Sequence, residues 1–171
     1  ELKSEYKCYV VPEGGTNKAA IKGTTELGMM IDEICAEHSI KNVAVAVGTG
    51  GTMAGIIEGA SSRYILGYGA LKGNFLQKDV AQWLSTESKT WKIEDDQIFG
   101  GYGKWNPQLI EFIKSFNDQT DVILDPIYTG KMMFAAYIAD RLNEDWLYIH
   151  TGGIQGNRGF NQRFNLDLPT S

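Results

Sequence analysis

The sequence predicts a three-layer α/β fold, an open and mostly parallel sheet with helices on both faces. Three observations carry that prediction. Apolar runs of strand length alternate along the chain with segments of helical period. One run, residues 42–47, consists of β-branched residues and alanine after its first position, as a central strand buried on both faces would. That run leads into GTGGT and a helix start, a glycine turn of the kind that can hold a phosphate group.

Taken in order, residues 6–11 read as a first strand, stopped by Pro12 and the turn pair Gly14 and Gly15. Leu27, Met30, Ile31, Ile34 and Cys35 then recur at helical spacing and define a helix that ends near His38. Residues 42–47 form the central strand. Further strands are expected at 63–68, around 97–99, at 122–124 and at 146–150, with helices at 75–84, 107–116 and 131–142 between them. The last helix, KMMFAAYIADRL, is apolar almost all round for two turns and calls for deep burial. No internal repeat, low-complexity tract or linker interrupts the alternation, so a single α/β domain over residues 1–171 is expected.

At 171 residues and 43% hydrophobic, the chain can bury one good core. No run approaches the roughly 18 apolar residues of a membrane span, and the opening ELKSEYK lacks the apolar centre of a signal peptide. A cytoplasmic protein without a membrane partner is expected. A formal net charge of -5 with no basic cluster speaks against a nucleic-acid surface. Cys8 and Cys35 lie in apolar periodic segments, without metal or redox spacing, and read as reduced core residues. No metal site is expected. A small-molecule ligand remains.

In open parallel sheets ligands sit beyond the carboxyl ends of the strands. After Val47 comes Gly48-Thr49-Gly50-Gly51-Thr52, where glycines let the backbone approach an anion and the two threonine hydroxyls add donors. A plain tight turn is the alternative. Neither common nucleotide motif fits: a Walker loop would need lysine where Gly51 stands, and a dinucleotide fingerprint from Gly48 would want Gly or Ala at Met53. Three further ends place hydroxyls beside glycines: Gly100-Gly101-Tyr102-Gly103, Asp125 to Lys131 (DPIYTGK), and His150-Thr151-Gly152-Gly153. Each alone is as well explained by packing, for a loop tyrosine by a half-buried ring and for His150 by a core imidazole. Their weight lies in convergence.

The segments VPEGGTNKAAIKG, VGTGGTMAGI, GGYG, LDPIYTGKMMFAA and IHTGG, in that order, resemble the C-terminal half of the 1-aminocyclopropane-1-carboxylate deaminase and D-cysteine desulfhydrase family. Those proteins are pyridoxal-phosphate enzymes with the tryptophan synthase β-like fold. The resemblance runs from about Tyr9 to about Gly156. It implies that this chain is the cofactor-binding part of a larger two-domain enzyme. Thr49, Gly50, Gly51 and Thr52 would cradle the phosphate of pyridoxal 5'-phosphate. Tyr102 and Tyr128 match the active-site tyrosines, where a phenol can steer or exchange a proton. Thr151 is similar to the hydroxyl that meets the pyridine nitrogen, and Thr129 stands where the deaminase branch carries glutamate. A hydroxyl there would leave the ring nitrogen neutral, which favours desulfhydrase-like elimination over ring opening.

The family's covalent lysine precedes the PEGG segment, so the resemblance assigns it to no lysine here. Lys18 follows Asn17 but reads as a solvated loop or helix residue, and Lys131 belongs to YTGK with a structural or electrostatic role. Arg158 in the polar tail reads as a solvated loop charge. The expected partner is a small amino acid, with D-cysteine, another D-amino acid and 1-aminocyclopropane-1-carboxylate all open. An uncovered sheet edge and cleft face make a homodimer the expected assembly. A binding module for a phosphorylated metabolite and an oligomerising remnant are the rival classes.

Overall fold

Four parallel strands, β1 (Asn42–Val47), β2 (Tyr64–Gly69), β3 (Trp91–Glu94) and β4 (Trp146–Ile149), pair side by side in the order β3-β2-β1-β4. Among the described residues six α-helices accompany them: α1 (Lys18–Glu37), α2 (Gly51–Gly59), α3 (Leu76–Ala81), α4 (Pro107–Thr120), α5 (Thr129–Ile138) and α6 (Gly156–Phe164). The computed structural model describes residues 7–73, 75–85, 90–95, 100–143 and 145–170.

The period of two along β1 sorts the layers. Val43, Val45 and Val47 pack with Ile31 of α1, Ile56 and Ile57 of α2, and Leu76 and Val80 of α3. Ala44 and Ala46 turn to the other face, against Leu109 and Ile113 of α4, Met132 and Phe134 of α5, and Phe160 of α6. Helices therefore cover both faces, and the three-layer α/β class read from the sequence is the class observed.

α1 starts where the Asn17 side chain accepts from the Ala19 and Ala20 amides, an N-cap that satisfies two donors of its first turn. It meets α2 at glycines. A Cβ on Gly28 would lie 2.9 Å from the Gly55 carbonyl oxygen, and one on Gly55 would lie 2.0 Å from Thr24 Oγ1. Thr24 Oγ1 also donates to the Gly51 carbonyl at 3.2 Å, which fastens the first turn of α2 to α1.

Several sequence expectations are corrected. Residues 7–11 form no strand, and Tyr9 and Val11 are 72% and 66% exposed; residue 6 lies outside the described residues. Cys8, expected in the core, is exposed, whereas Cys35 is buried. Residues 97–99 also lie outside the described residues, and the strand on that side of the sheet is Trp91–Glu94. Residues 122–124 are not a strand because side chains take up their carbonyls: His150 Nε2 reaches the Ile123 oxygen at 2.8 Å and Asn157 Nδ2 the Leu124 oxygen at 3.1 Å. The apolar helix begins earlier than expected, and its last turn surfaces, with Tyr137 58% and Ile138 54% exposed.

The chain leaves β1 into α2 on one face and leaves the neighbouring β4 into α6 on the other. Helices departing to opposite faces open a crevice between two strand ends, the place where sheets of this kind take ligands.

Candidate functional site

A cavity of about 720 Å³ occupies that crevice. Its floor is the end of β1, Ala46 and Val47, continued by Gly48, Thr49, Gly50, Gly51, Thr52 and Met53. Gly50 carries φ 88°, a left-handed conformation that L side chains resist, and it caps α2, whose first turn lines the cavity. Helix N-termini present unpaired amides and the positive end of the helix dipole, so this turn is built to face an anion. A side chain on Gly51 would meet Thr16 Oγ1 at 2.8 Å, so glycine here lets the start of α2 pack closely against Thr16.

Thr16 was not singled out from the sequence, yet its hydroxyl lies 2.7 Å from that of Thr49 and lines the same cavity with Glu13 and Gly14. Gly14 packs so tightly that a Cβ would sit 2.3 Å from Thr49 Oγ1. Gln155 is a further lining residue that sequence reasoning missed. The only signal for Thr16 was the PEGGTN segment, whose fold-back onto residue 49 is a tertiary contact.

Tyr102 and Tyr128 also line the cavity, ring centroids 6.0 Å apart at 66°, an edge-to-face pair, with the Tyr128 ring against Gly48. Tyr128 is set by Asp125, only 2% exposed, whose Oδ1 accepts from the Ile127 and Tyr128 amides at 2.8 Å each. Its Oδ2 accepts from the Thr129 amide at 2.8 Å and the Thr129 hydroxyl at 2.7 Å. Thr129 is therefore fully buried against Asp125 and does not line the cavity, unlike the contact with a cofactor ring expected of it. Thr151, Gly152 and Gly153 complete the lining beyond β4. The His150 ring holds this turn: Nδ1 accepts from the Gly152 amide at 3.2 Å while Nε2 faces the Ile123 carbonyl, which assigns the proton to Nε2. Seven of the eight residues singled out for substrate or cofactor, Thr49, Gly50, Gly51, Thr52, Tyr102, Tyr128 and Thr151, thus line one cavity, and Thr129 is buried against Asp125.

Burial pushes the Tyr128 hydroxyl up to about 12, helped by its hydrogen bond with Tyr102 and by the charges of Asp125 and Glu13. It is a neutral phenol at physiological pH, a donor and not a base. Burial brings Lys131, 6% exposed, down to about 8 against the opposing pull of Asp125. The two shifts fix a pH dependence. Between about 8 and its ordinary 10.5 the folded protein binds less of the lysine proton than the unfolded chain, so stability rises with pH. Between 10 and about 12 the folded protein keeps the tyrosine proton that the unfolded chain loses, so stability falls. Urea unfolding against pH is expected to show stability rising above pH 8 until, beyond the ordinary thiol value of 9.0, the Cys35 thiol that burial pushes up opposes the lysine, and falling above 10; a monotonic fall from pH 8 would contradict these assignments.

No family model matches the chain. A Pyrococcus horikoshii protein with the name "Putative 1-aminocyclopropane-1-carboxylate deaminase" is 34% identical over 174 residues, covering 91% of this chain and 53% of that protein. The D-cysteine desulfhydrase of Salmonella choleraesuis is 32% identical over 171 residues, covering 86% of this chain and 51% of its own length. A solved structure described as that of "the ACC deaminase homologue" superposes with a TM-score of 0.71 at 26% identity, over 95% of this chain and 55% of that one. The chain is a homologue of the 1-aminocyclopropane-1-carboxylate deaminase and D-cysteine desulfhydrase family. It spans about half the length of the curated family members it matches. The five segments that carried the resemblance include the cavity's cradle, both of its tyrosines and the turn after β4 in this homologue.

Proposed function

We propose that this chain forms the cofactor-holding wall of a pyridoxal-phosphate enzyme that deaminates or desulfhydrates a small amino acid. The observation that carries this reading is a single cavity lined both by a glycine turn at a helix N-terminus and by a tyrosine pair. The residues fit the group: a glycine turn and the first turn of α2 line the cavity, which suits a phosphate, and about 720 Å³ accommodates a ring and a small substrate together.

Thr49, Gly50, Gly51 and Thr52 would hold the phosphate through backbone amides and hydroxyls, with Thr16 keeping the Thr49 hydroxyl in place. Thr151 lines the cavity and would meet the pyridine nitrogen, whereas Thr129 would act at one remove by fixing Asp125 and so Tyr128. When bound, pyridoxal phosphate supplies an electron sink for negative charge at the substrate α-carbon. Tyr128, protonated at neutral pH, would donate a proton or hydrogen bond to a leaving group or substrate carboxylate. Tyr102, 56% exposed at the mouth, would close over the substrate. Among the described residues no lysine lines the cavity, and the covalent lysine is not assigned to this wall.

That same observation favours one second reading, a non-covalent site for a phosphorylated metabolite. Absorbance and fluorescence titration with pyridoxal phosphate, pyridoxal and inorganic phosphate separates the two. Pyridoxal phosphate is expected to bind at least about tenfold more tightly than either half alone, and Gly51→Val to abolish that preference. Equal binding of any phosphate monoester, with no contribution from the ring, would replace the enzyme reading by the metabolite one.

A further inference from the structure

Lys131 is a buried cation that the reading above does not use. It sits in the first turn of α5, three residues after Tyr128, and does not line the cavity. Its Nζ donates to the Gly101 carbonyl oxygen at 2.7 Å, thirty residues away in sequence. Gly101 immediately precedes Tyr102, and the loop around it is built from glycines in the left-handed region, Gly100 at φ 75°, Gly101 at 108° and Gly103 at 65°. Such a loop has little of its own to fix a conformation. Among the described residues, the Gly101 oxygen accepts from the Lys104 amide at 3.2 Å and from the Lys131 ammonium on another element. Taking an ammonium out of water is costly, and the charge-assisted bond to the Gly101 carbonyl and the charge of Asp125 help to offset that cost. A methionine would fill the same space without it.

We propose that Lys131 is a positioning residue: by holding the Gly101 carbonyl it seats Tyr102 edge-on against Tyr128 and so sets the tyrosine pair as one unit. Tyr128 is fixed from below by Asp125, and Lys131 extends the same helix start to the opposite loop. The two tyrosines then move together because one helix turn holds both. For its consequence on turnover this inference rests on the cofactor reading of the cavity; for the geometry it does not.

The test places 3-fluorotyrosine at position 102, and separately at Tyr148 in β4 as a control, and records fluorine NMR spectra without cofactor. In Lys131→Met the signal from position 102 is expected to move toward that of free fluorotyrosine and to narrow, while the Tyr148 signal stays. Lys131→Arg, which keeps a donor, is expected to retain the native signal at 102. Pyridoxal-phosphate affinity, measured on the same proteins, is expected to fall roughly tenfold in Lys131→Met. An unchanged position-102 signal in a folded Lys131→Met protein overturns the inference, as does an equal shift at both probes. If Lys131→Met does not fold, Lys131→Arg decides: a native signal supports the tether, and a displaced one overturns it. Failure of both variants to fold also overturns it, because the lysine then serves the core and not the loop. The fluorine readout needs no cofactor, so its failure leaves the enzyme reading standing, and a failure to bind pyridoxal phosphate leaves the tether standing.

Discussion

Asp125→Ala is expected to lower the melting temperature by roughly 6–12 °C, corresponding to about 3 kcal/mol for a chain of this size. The carboxylate is 2% exposed and receives four hydrogen bonds, from the Ile127, Tyr128 and Thr129 amides and the Thr129 hydroxyl. Removing it strands these donors where water reaches poorly, and unsatisfied buried donors cost more than the bonds themselves contributed. Asp125→Asn refines the test. An amide offers one oxygen, so it can serve the Oδ1 partners or the Oδ2 partners but not both, and about half the loss is expected. Calorimetry on the two variants checks the order; a melting temperature that does not move in Asp125→Ala would mean that the α5 start holds itself.

Gly55→Val is expected to cost roughly 3 kcal/mol, because it overpacks the closest approach in the molecule. A Cβ there would lie 2.0 Å from Thr24 Oγ1 and 2.5 Å from the Thr24 carbonyl carbon. A hydroxyl can rotate away, but a backbone carbon cannot, so α1 and α2 must separate. Gly23→Ala, in the same helix α1 but with open space around it, is the control of opposite sign and should gain up to about 1 kcal/mol from helix propensity. Urea unfolding measures both; a Gly55→Val protein as stable as the parent would show that the two helices can slide apart at no cost. Because Thr24 also holds the Gly51 carbonyl, the same variant should loosen the phosphate cradle.

What the sequence made legible follows from where each signal resides. β1 and the turn after it were readable because the pattern is dense and local: five buried residues in a row, then glycines at the bend. Residues 7–11 misled because an apolar run states a preference for burial and not the presence of a partner strand. Residues 122–124 misled for a related reason, since their carbonyls are satisfied by His150 and Asn157 side chains, which no local pattern announces. β3 is four residues long, with only Ile93 buried, too short a signal to stand out. At the site, the cradle and both tyrosines could be named from glycine-flanked hydroxyls, but which way Thr129 faces could not. Its orientation depends on a capping carboxylate four residues earlier, and Thr16 enters through a contact spanning 33 residues.

The two walls of the cleft are made in different ways. Residues 125–129 form a short cassette that specifies its own shape, with one carboxylate satisfying the backbone around it. The facing loop at 100–103 is mostly glycine, and a side chain at Gly103 would touch nothing within 4 Å. One jaw is thus a fixed anvil, and the other is a pliant loop that takes its seat from the anvil's own helix through Lys131. A lineage that changed its substrate could lengthen, shorten or restock the glycine loop without disturbing the anvil, so diversification of specificity is expected to accumulate around residue 102 while residues 125–129 stay as they are.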